Sequence, residues 1–348
     1  MDPTPVPPNE ADVIADDQDV AVRGEGSSAQ KSKTRSVVMF VVGIALLVGA
    51  GYFVYESTDG LEGVWDSVSS APWWMIALII ASPMGNHLSV SMCLHALQSR
   101  HGKIGVVEMF VLIGSAWMFN YLPMRAGLLG RIGYHKAINK IRIRDSLESS
   151  IWSGVLAGIS NVILLGVAMV MSWIGESWAL VLPAVPVALI FVLSGFMPTR
   201  KTRLLVRALA YRQIDVIVWL GRYWLAFEVL GLEMSIGDLA VISAVSQLAS
   251  LMPLTGSGVG FREWAVGLMA SAGGHAMGTA MAGDIINRAA ETLIVVPVGL
   301  VCTVIVAKWW KQRGGEHSVA ELAEDEARRN AEHKDQSRHS SEQDPAVE

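Results

Sequence analysis

The chain of 348 residues is 52% hydrophobic and 17% charged, with a formal net charge of -5 and a mean hydropathy of +0.41. Its apolar residues gather in stretches near the roughly 20 residues that cross a bilayer, which excludes an ordinary soluble domain and predicts an all-α polytopic membrane protein. We expect neither a nucleic-acid partner nor a cofactor.

Both ends of the chain differ in composition from its middle. Residues 1 to 35 are polar and proline-rich and predict a disordered cytoplasmic tail, because they cannot bury enough apolar surface to offset the cost of ordering. We predict a transmembrane domain over residues 36 to 310 and a charged cytoplasmic tail over residues 311 to 348. Cys93 and Cys302 lie far apart in apolar segments and predict neither a metal site nor a redox pair.

Loop charges predict how the chain is threaded, because Lys and Arg in short loops stay cytoplasmic. Basic residues before the first span and after the last place both termini in the cytoplasm, as in a protein of a bacterial-type cytoplasmic (inner) membrane. We predict six spans: Val37 to Val54, Trp73 to about Leu97, Ile151 to Ile174, Trp178 to Met197, Ile214 to Leu230 and Ile285 to Ala307.

Two further apolar stretches cannot cross the membrane fully, because the basic loops would then no longer all lie on the cytoplasmic side. The stretch from Ile104 to Tyr121 lies between two basic regions, so it enters and leaves on the cytoplasmic side, whereas Ile236 to Ala272 begins and ends outside. Each is predicted to form a re-entrant helical hairpin, and the two opposed hairpins resemble an inverted repeat. The alternative is eight full helices with a few charges facing the interior of the bundle.

Short polar interruptions mark the predicted hairpin turns, NYLPMRAGLLGR and LMPLTGSGVGFRE. Irregular backbone and arginines persist at membrane depth only where they are buried in protein or line a cavity. A guanidinium can hold a phosphate or carboxylate through two parallel hydrogen bonds, so we expect membrane lipids with anionic head groups as ligands. The candidate substrate-binding residues are Arg125, Arg131, Arg262, Glu263, Arg288, Asn120 and Asn86, and the predicted turns contain Pro123, Gly127, Pro253, Gly256, Gly258 and Gly260.

Structural roles are open for several of these residues. Arg262 could pair with Glu263, Glu291 or Asp284, and Arg288 adds another cation nearby. The turn glycines could serve close helix packing, and Asn86 could hydrogen-bond a neighbouring helix.

The same residues carry a family resemblance. Pro123, Gly127 and Arg131 follow a Pro-x-x-x-Gly-Glu-x-x-Arg pattern, with Leu128 in place of the glutamate, and the stretch from Pro253 to Glu263 follows a PGGxGxxE pattern. Over roughly residues 36 to 310 the chain resembles the membrane domain of lysylphosphatidylglycerol synthases and related stand-alone flippase-like proteins. The resemblance implies movement of a phospholipid, glycolipid or polyprenyl-phosphate-linked lipid between leaflets, and neither tail is long enough for the soluble aminoacyltransferase domain.

Three functions follow as hypotheses. The first is a lipid translocase whose head group is held by Arg125 and Arg262 between the hairpins. The second is an accessory membrane subunit that presents lipid to a separate transferase. The partner protein is thus a transferase or a second copy of this chain in a homo-oligomer. The third hypothesis is an ion- or proton-coupled transporter of lipid precursors. No catalytic motif is found, which disfavours a membrane enzyme, although Asp284, Glu263 and Glu291 leave acid-base chemistry open.

Overall fold

The computed structural model describes Val38 and residues 41–57, 60–121, 126–174, 181–251 and 258–313. These ranges contain helices, turns and short connections without a strand, which confirms the all-α class. The helices are α1 (Val41–Ser57), α2 (Gly60–Ser70), α3 (Trp73–Gln98), α4 (Val106–Phe119), α5 (Ala126–Ala137), α6 (Ile143–Ile174), α7 (Ala184–Gly195), α8 (Arg200–Val229), α9 (Ile236–Leu251), α10 (Phe261–Ala272) and α11 (Met277–Gln312).

Three of the described helices, α3, α6 and α11, are long and apolar enough to cross a membrane. The pair α1 and α2, bent by 80° at its break, makes a fourth candidate if it is counted as one span. Each of the three contains a predicted span, but α6 begins at Ile143 and α11 at Met277, well before the predicted starts. These helices are what an integral membrane protein requires.

The predicted spans near α7 and α8 meet the length and composition criteria less well. α7 has 12 residues, about 18 Å of helix against a hydrocarbon core of roughly 30 Å. The first residues of its predicted span, 178 to 180, lie outside the described ranges. α8 has 30 residues and is long enough. Its charged side chains, among them Arg212, Asp215 and Arg222, keep it from meeting the composition criterion for a membrane span.

The predicted re-entrant stretch from Ile236 to Ala272 forms two short helices that pack against each other, α9 and α10. The stretch from Ile104 to Tyr121 forms α4, and the helix that packs on it, α5, lies beyond the predicted stretch. We call the pairs α4–α5 and α9–α10 the first and second helical hairpin; that they are re-entrant stays a prediction. At the start of α5, a Cβ added to Gly127 would lie 2.0 Å from the carbonyl oxygen of Ala116, so the backbones of α4 and α5 touch there. Before α10, Gly258 and Gly260 have φ angles of +69° and +82°, which glycine adopts without steric cost.

Two halves of the bundle have matching helices. The lengths of α3 to α6 are 26, 14, 12 and 32 residues, and those of α8 to α11 are 30, 16, 12 and 36. In this comparison α3 corresponds to α8, α4 to α9, α5 to α10 and α6 to α11. The principal contacts between helices are then repeated: α4 packs on α11 as α9 packs on α6, and α3 packs on α6 as α8 packs on α11. The central contact joins α3 to α8, its own counterpart. α7 packs on α8 and stands outside this correspondence.

α1 lies against the second half. The indole Nε1 of Trp264 donates to the carbonyl oxygen of Leu46 over 3.1 Å, and Ala50 and Val54 share an apolar cluster with Met281 of α11. This packing joins α1 to α10 and α11.

Candidate functional site

A cavity of about 530 Å³ lies inside the bundle, between residues of α3, α4, α5, α6, α8, α9 and α11. Its volume is within the range of small-molecule sites, roughly 300–1,000 Å³. Both helical hairpins contribute, α4 and α5 from the first and α9 from the second. Its charged lining residues are Arg131, Arg212, Asp215, Arg222 and Glu291.

Arg131 comes from α5 and is buried. Its Nη2 donates to the hydroxyl oxygen of Ser150 on α6 over 2.6 Å, and that hydroxyl donates to the carbonyl oxygen of Ser146 over 2.9 Å. Within the described ranges, Ser150 is its hydrogen-bond acceptor and no carboxylate lies within 4.0 Å of it.

Arg212, Asp215, Trp219 and Arg222 occupy one face of α8, because spacings of three and four residues bring side chains together on a helix. Arg212 Nη1 donates to Asp215 Oδ2 over 2.7 Å. The other carboxylate oxygen of Asp215 accepts from Asn86 Nδ2, also over 2.7 Å. Since Asn86 belongs to α3, these bonds cross the central α3–α8 contact.

Arg222 is almost completely buried and has polar partners on two other helices. Its Nη1 donates to Asn86 Oδ1 on α3 over 3.0 Å. Its Nε donates to Asn287 Oδ1 over 2.7 Å, and its Nη2 donates to Glu291 Oε2 over 3.1 Å, both on α11. The guanidinium carbon lies 4.5 Å from the ring centre of Trp219, within cation–π range.

The arginine of the second hairpin, Arg262, is held by ion pairs and shares Glu291 with Arg222. Arg262 Nε donates to Asp284 Oδ2 over 3.1 Å, and its Nη1 lies 3.5 Å from Glu291 Oε2. The hydroxyl of Tyr223 donates to the other oxygen of Asp284 over 2.5 Å.

Glu263 pairs with Arg288 and not with its neighbour Arg262. Among the described residues, Arg262, Glu263 and Arg288 are absent from the cavity wall. Asp284 and Glu291 are therefore the partners of Arg262 among the three alternatives that the sequence leaves open.

The charges on the cavity wall do not cancel. Arg212 pairs with Asp215 and Arg222 pairs with Glu291, which leaves Arg131 without an acidic partner in the described part of the chain. Ion pairs also neutralise Arg262 and Arg288 behind the wall. The described residues of the cavity wall thus carry one positive charge in excess.

One side of the cavity is apolar and exposed. Leu147 and Ile151 of α6 and Leu248 of α9 line it, yet they are 42%, 66% and 52% exposed. The cavity therefore reaches the outer surface between α6 and α9, among side chains suited to lipid.

The sequence-predicted residues separate into three groups. Asn86, Asn120 and Arg131 line the cavity. Arg262, Glu263 and Arg288 form buried ion pairs behind it. Arg125, Pro123, Pro253 and Gly256 lie outside the described residues, so their predicted roles stay predictions.

Arg212, Asp215 and Arg222 are cavity residues that sequence reasoning missed. A signal was present, since Asp215 and Arg222 fall inside the apolar stretch from Ile214 to Leu230, where charged side chains face a bundle interior or a cavity. Arg212, Asp215, Trp219 and Arg222 follow one another at spacings of three and four residues, which would have placed their side chains on one inward face of the helix.

No protein-family model, curated protein or solved structure matches this chain. The cavity and its charges are therefore the features that indicate a function. In the described ranges, no group of three or more His, Cys, Asp or Glu residues is arranged to hold a metal ion.

Proposed function

We propose that this chain is a lipid translocase of the flippase-like type, which moves lipids with anionic head groups between leaflets. One observation carries the proposal: the cavity is cationic inside, at Arg131, and apolar at its mouth, at Leu147, Ile151 and Leu248. A lipid has the same two parts, a charged head group and acyl chains. The resemblance to the membrane domain of lysylphosphatidylglycerol synthases supports the same function.

In this proposal the membrane domain has six spans and two re-entrant hairpins that enter from opposite faces. Helices α4, α5, α9 and α10 have 14, 12, 16 and 12 residues, about 18–24 Å each, which is short for a core of roughly 30 Å. The matched contacts of the two halves are those expected of two related repeats, and in this proposal the second repeat is inverted relative to the first. Transporters built from such repeats hold their substrates near the midplane, where the repeats meet.

The head group enters between α6 and α9 while its acyl chains stay in the bilayer. Arg131 holds the negative charge, and the polar side chains of α3 and α8 replace water around the rest of the head group. Movement of one hairpin relative to the other then exposes the head group to the opposite leaflet. No covalent bond forms or breaks.

Lipid movement in vesicles that contain only this purified protein tests the proposal. Tail-labelled fluorescent phosphatidylglycerol is incorporated into both leaflets, and a membrane-impermeant reductant destroys the label in the outer leaflet. We expect wild-type protein to make the inner-leaflet label accessible, and Arg131→Gln to slow this exchange.

The matched control is Arg142→Gln, because Arg142 carries the same charge on the surface with an 83% exposed side chain. It should behave as wild type. Bound lipid without any exchange between leaflets would contradict the translocase and favour an accessory subunit that presents lipid to a separate transferase.

A further inference from the structure

We propose that each helical hairpin is closed at its base by a clasp, a set of hydrogen bonds between the first turn of its first helix and the chain around the end of its second helix, and that the clasp of the second hairpin responds to pH. The first clasp centres on Glu108, and the second consists of Asp238 and His275. Both clasps go beyond the proposed function, and their effect on lipid movement is the part that rests on it.

The two clasps occupy equivalent places in the two halves of the bundle. Glu108 and Asp238 are the acidic residues in the first turns of α4 and α9. Their partners are also equivalent, since Asn139 lies just past the end of α5 and His275 just past the end of α10. Because α4 corresponds to α9 and α5 to α10, the same connection closes both hairpins.

The first clasp has donors whose charge does not change near neutral pH. One oxygen of the buried Glu108, Oε1, accepts from the hydroxyl of Tyr134 and from Asn139 Nδ2, each over 3.1 Å, and from Arg313 Nη1 over 2.6 Å. Tyrosine, asparagine and arginine keep their charge between pH 5 and 8. His135 Nδ1 donates to Asn139 Oδ1 over 3.1 Å, but burial lowers the pKa of His135 to about 4. This clasp should therefore respond little to pH.

The second clasp depends on a histidine. His275 Nε2 donates to Asp238 Oδ2 over 3.1 Å, and the hydroxyl of Ser235 donates to the same oxygen over 2.8 Å. The backbone amide of His275 donates to the carbonyl oxygen of Ala270 over 2.9 Å, so the last turn of α10 fixes the position of the histidine. The side chains of His275 and Asp238 are 19% and 39% exposed, so both are open to solvent protons.

The charges around this clasp leave Asp238 as the partner of His275. Asp284 and Glu263, on the neighbouring helices α11 and α10, pair with arginines instead. Three more acidic side chains on neighbouring elements are exposed and form no ion pair with His275 among the described residues: Glu56 of α1, Glu228 of α8 and Glu233 before α9.

Protonation should strengthen the second clasp. Histidine is the side chain whose charge ordinarily changes between pH 5 and 8. The hydrogen bond from His275 lowers the pKa of Asp238, so the carboxylate stays ionised in that range. At low pH the contact is an ion pair with a charge-assisted hydrogen bond, and at high pH the neutral imidazole keeps the hydrogen bond alone. The second hairpin should therefore open less readily as the pH falls. In the proposed topology this clasp faces the outside, so it responds to the external pH.

Hydrogen–deuterium exchange of the full-length protein in nanodiscs measures the opening of each hairpin. Exchange is followed by mass spectrometry at about pH 5.5 and about pH 8, on either side of the ordinary titration of histidine, and each rate is divided by the intrinsic exchange rate at that pH. We expect peptides that cover residues 236–243 and 270–277 to be protected about twofold to fivefold more at the lower pH, the range for a partly exposed ion pair. Peptides that cover residues 106–112 and 134–141 report on the first clasp and should show no such difference.

Three variants make the result specific. His275→Gln keeps a hydrogen-bond donor but cannot gain a proton, and Asp238→Asn removes the negative charge, so each should abolish the pH difference. The matched control is His101→Gln, because His101 is a histidine with a 15% exposed side chain that lies 3.9 Å from another carboxylate, that of Asp145. It should leave the pH response of the second hairpin as in wild type.

The outcomes separate this inference from the proposed function. Equal protection of the second hairpin at the two pH values, or a difference that persists in His275→Gln and Asp238→Asn, overturns the inference even if the protein moves lipid. A parallel change in both hairpins would assign the effect to the whole bundle and also overturn it. A difference that is confined to the second hairpin and lost in the two variants supports it even if the vesicles show no lipid movement.

Discussion

Arg262 and Asp284 form an ion pair inside the bundle, with Nε and Oδ2 separated by 3.1 Å and side chains 2% and 0% exposed. The pair joins α10 of the second hairpin to α11. Tyr223 of α8 donates to the remaining oxygen of Asp284, so three helices meet at one carboxylate. Removal of one partner from such a pair leaves an uncompensated buried charge.

Asp284→Asn should therefore destabilise the protein by about 3–5 kcal/mol, measured as thermal or denaturant unfolding in detergent. The exposed helical residue Asp66 provides the matched control, because Asp66→Asn makes the same chemical change at the surface and should stay within about 0.5 kcal/mol of wild type. Equal unfolding curves for Asp284→Asn and wild type would contradict a structural role for the pair. The double variant Arg262→Met/Asp284→Leu should recover much of the loss, since it leaves neither charge unpaired.

Gly127 allows the two helices of the first hairpin to touch. A Cβ at this position would lie 2.0 Å from the carbonyl oxygen of Ala116, so Gly127→Ala must push α5 away from α4. We expect a destabilisation of about 1–3 kcal/mol, the usual result of overpacking, in thermal unfolding. Gly130 lies on the same helix with nothing within 4 Å of an added Cβ, and Gly130→Ala should be neutral or slightly stabilising. Similar effects of the two substitutions would rule out the close approach.

Gly260 combines a positive φ angle with a close contact to α1. Its φ is +82°, and an added Cβ would lie 2.3 Å from the carbonyl oxygen of Gly43. Gly274 has nearly the same φ, +83°, with open space around it, so Gly274→Ala measures the conformational cost alone, roughly 1–2 kcal/mol. Gly260→Ala should lose more stability than Gly274→Ala because it also displaces α1, and equal losses in thermal unfolding would show that the contact contributes nothing.

The long apolar helices could be predicted from the sequence, because α3, α6 and α11 each contain an apolar run of bilayer length. Loop charge predicted two re-entrant hairpins, and their re-entry stays a prediction. Helix ends were predicted poorly: α6 begins at Ile143 and α11 at Met277, before their apolar runs. The added residues include Ser146 and Asp284, which form hydrogen bonds with residues of other helices, and hydropathy gives no signal for such contacts.

The partners of the buried charges were beyond sequence reasoning for a different reason. Arg262 had three carboxylates within plausible reach, and the rotation of α10 decides among them. The cavity needs side chains of seven helices, so its shape depends on packing that no local pattern encodes. Arg131 was found because it belongs to a polar interruption, whereas Arg222 was overlooked because it lies within a predicted span.

Re-entrant hairpins predict which loops share a side of the membrane. Lys103 and Arg144 flank the first hairpin, Glu233 precedes the second, and Ser271 lies in the last turn of α10; all four are exposed. We expect single cysteines at Lys103 and Arg144 to be shielded from a membrane-impermeant maleimide in intact cells, and cysteines at Glu233 and Ser271 to react. The background carries Cys93→Ala and Cys302→Ala. Labelling at Arg144 but not at Lys103 would instead support the eight-helix alternative, in which the basic cluster crosses to the far side.

Glu291 provides a way to change the charge of the cavity without touching Arg131. Its side chain lines the cavity, is 20% exposed, and accepts from Arg222 and Arg262. Glu291→Gln keeps the shape and raises the excess from one positive charge to two. A phosphate monoester carries nearly two negative charges near neutral pH, so the variant should retain more phosphatidic acid relative to phosphatidylglycerol than wild type does, measured by native mass spectrometry in nanodiscs that contain both lipids.

The control for that comparison is Glu233→Gln, which removes the same charge from an exposed position and should leave the lipid ratio unchanged. Glu291→Gln removes the ion-pair partner of the buried Arg222, so we expect it to unfold at a lower temperature than wild type. Arg222 keeps its bonds to Asn86 and Asn287, and Arg262 keeps Asp284, so the variant should still fold. A lipid ratio equal to that of wild type, in a variant that is folded at the temperature of the measurement, would show that net charge does not select the head group. A shift towards phosphatidic acid would show that the negative charge of Glu291 helps to set the charge of the lipid that the cavity accepts.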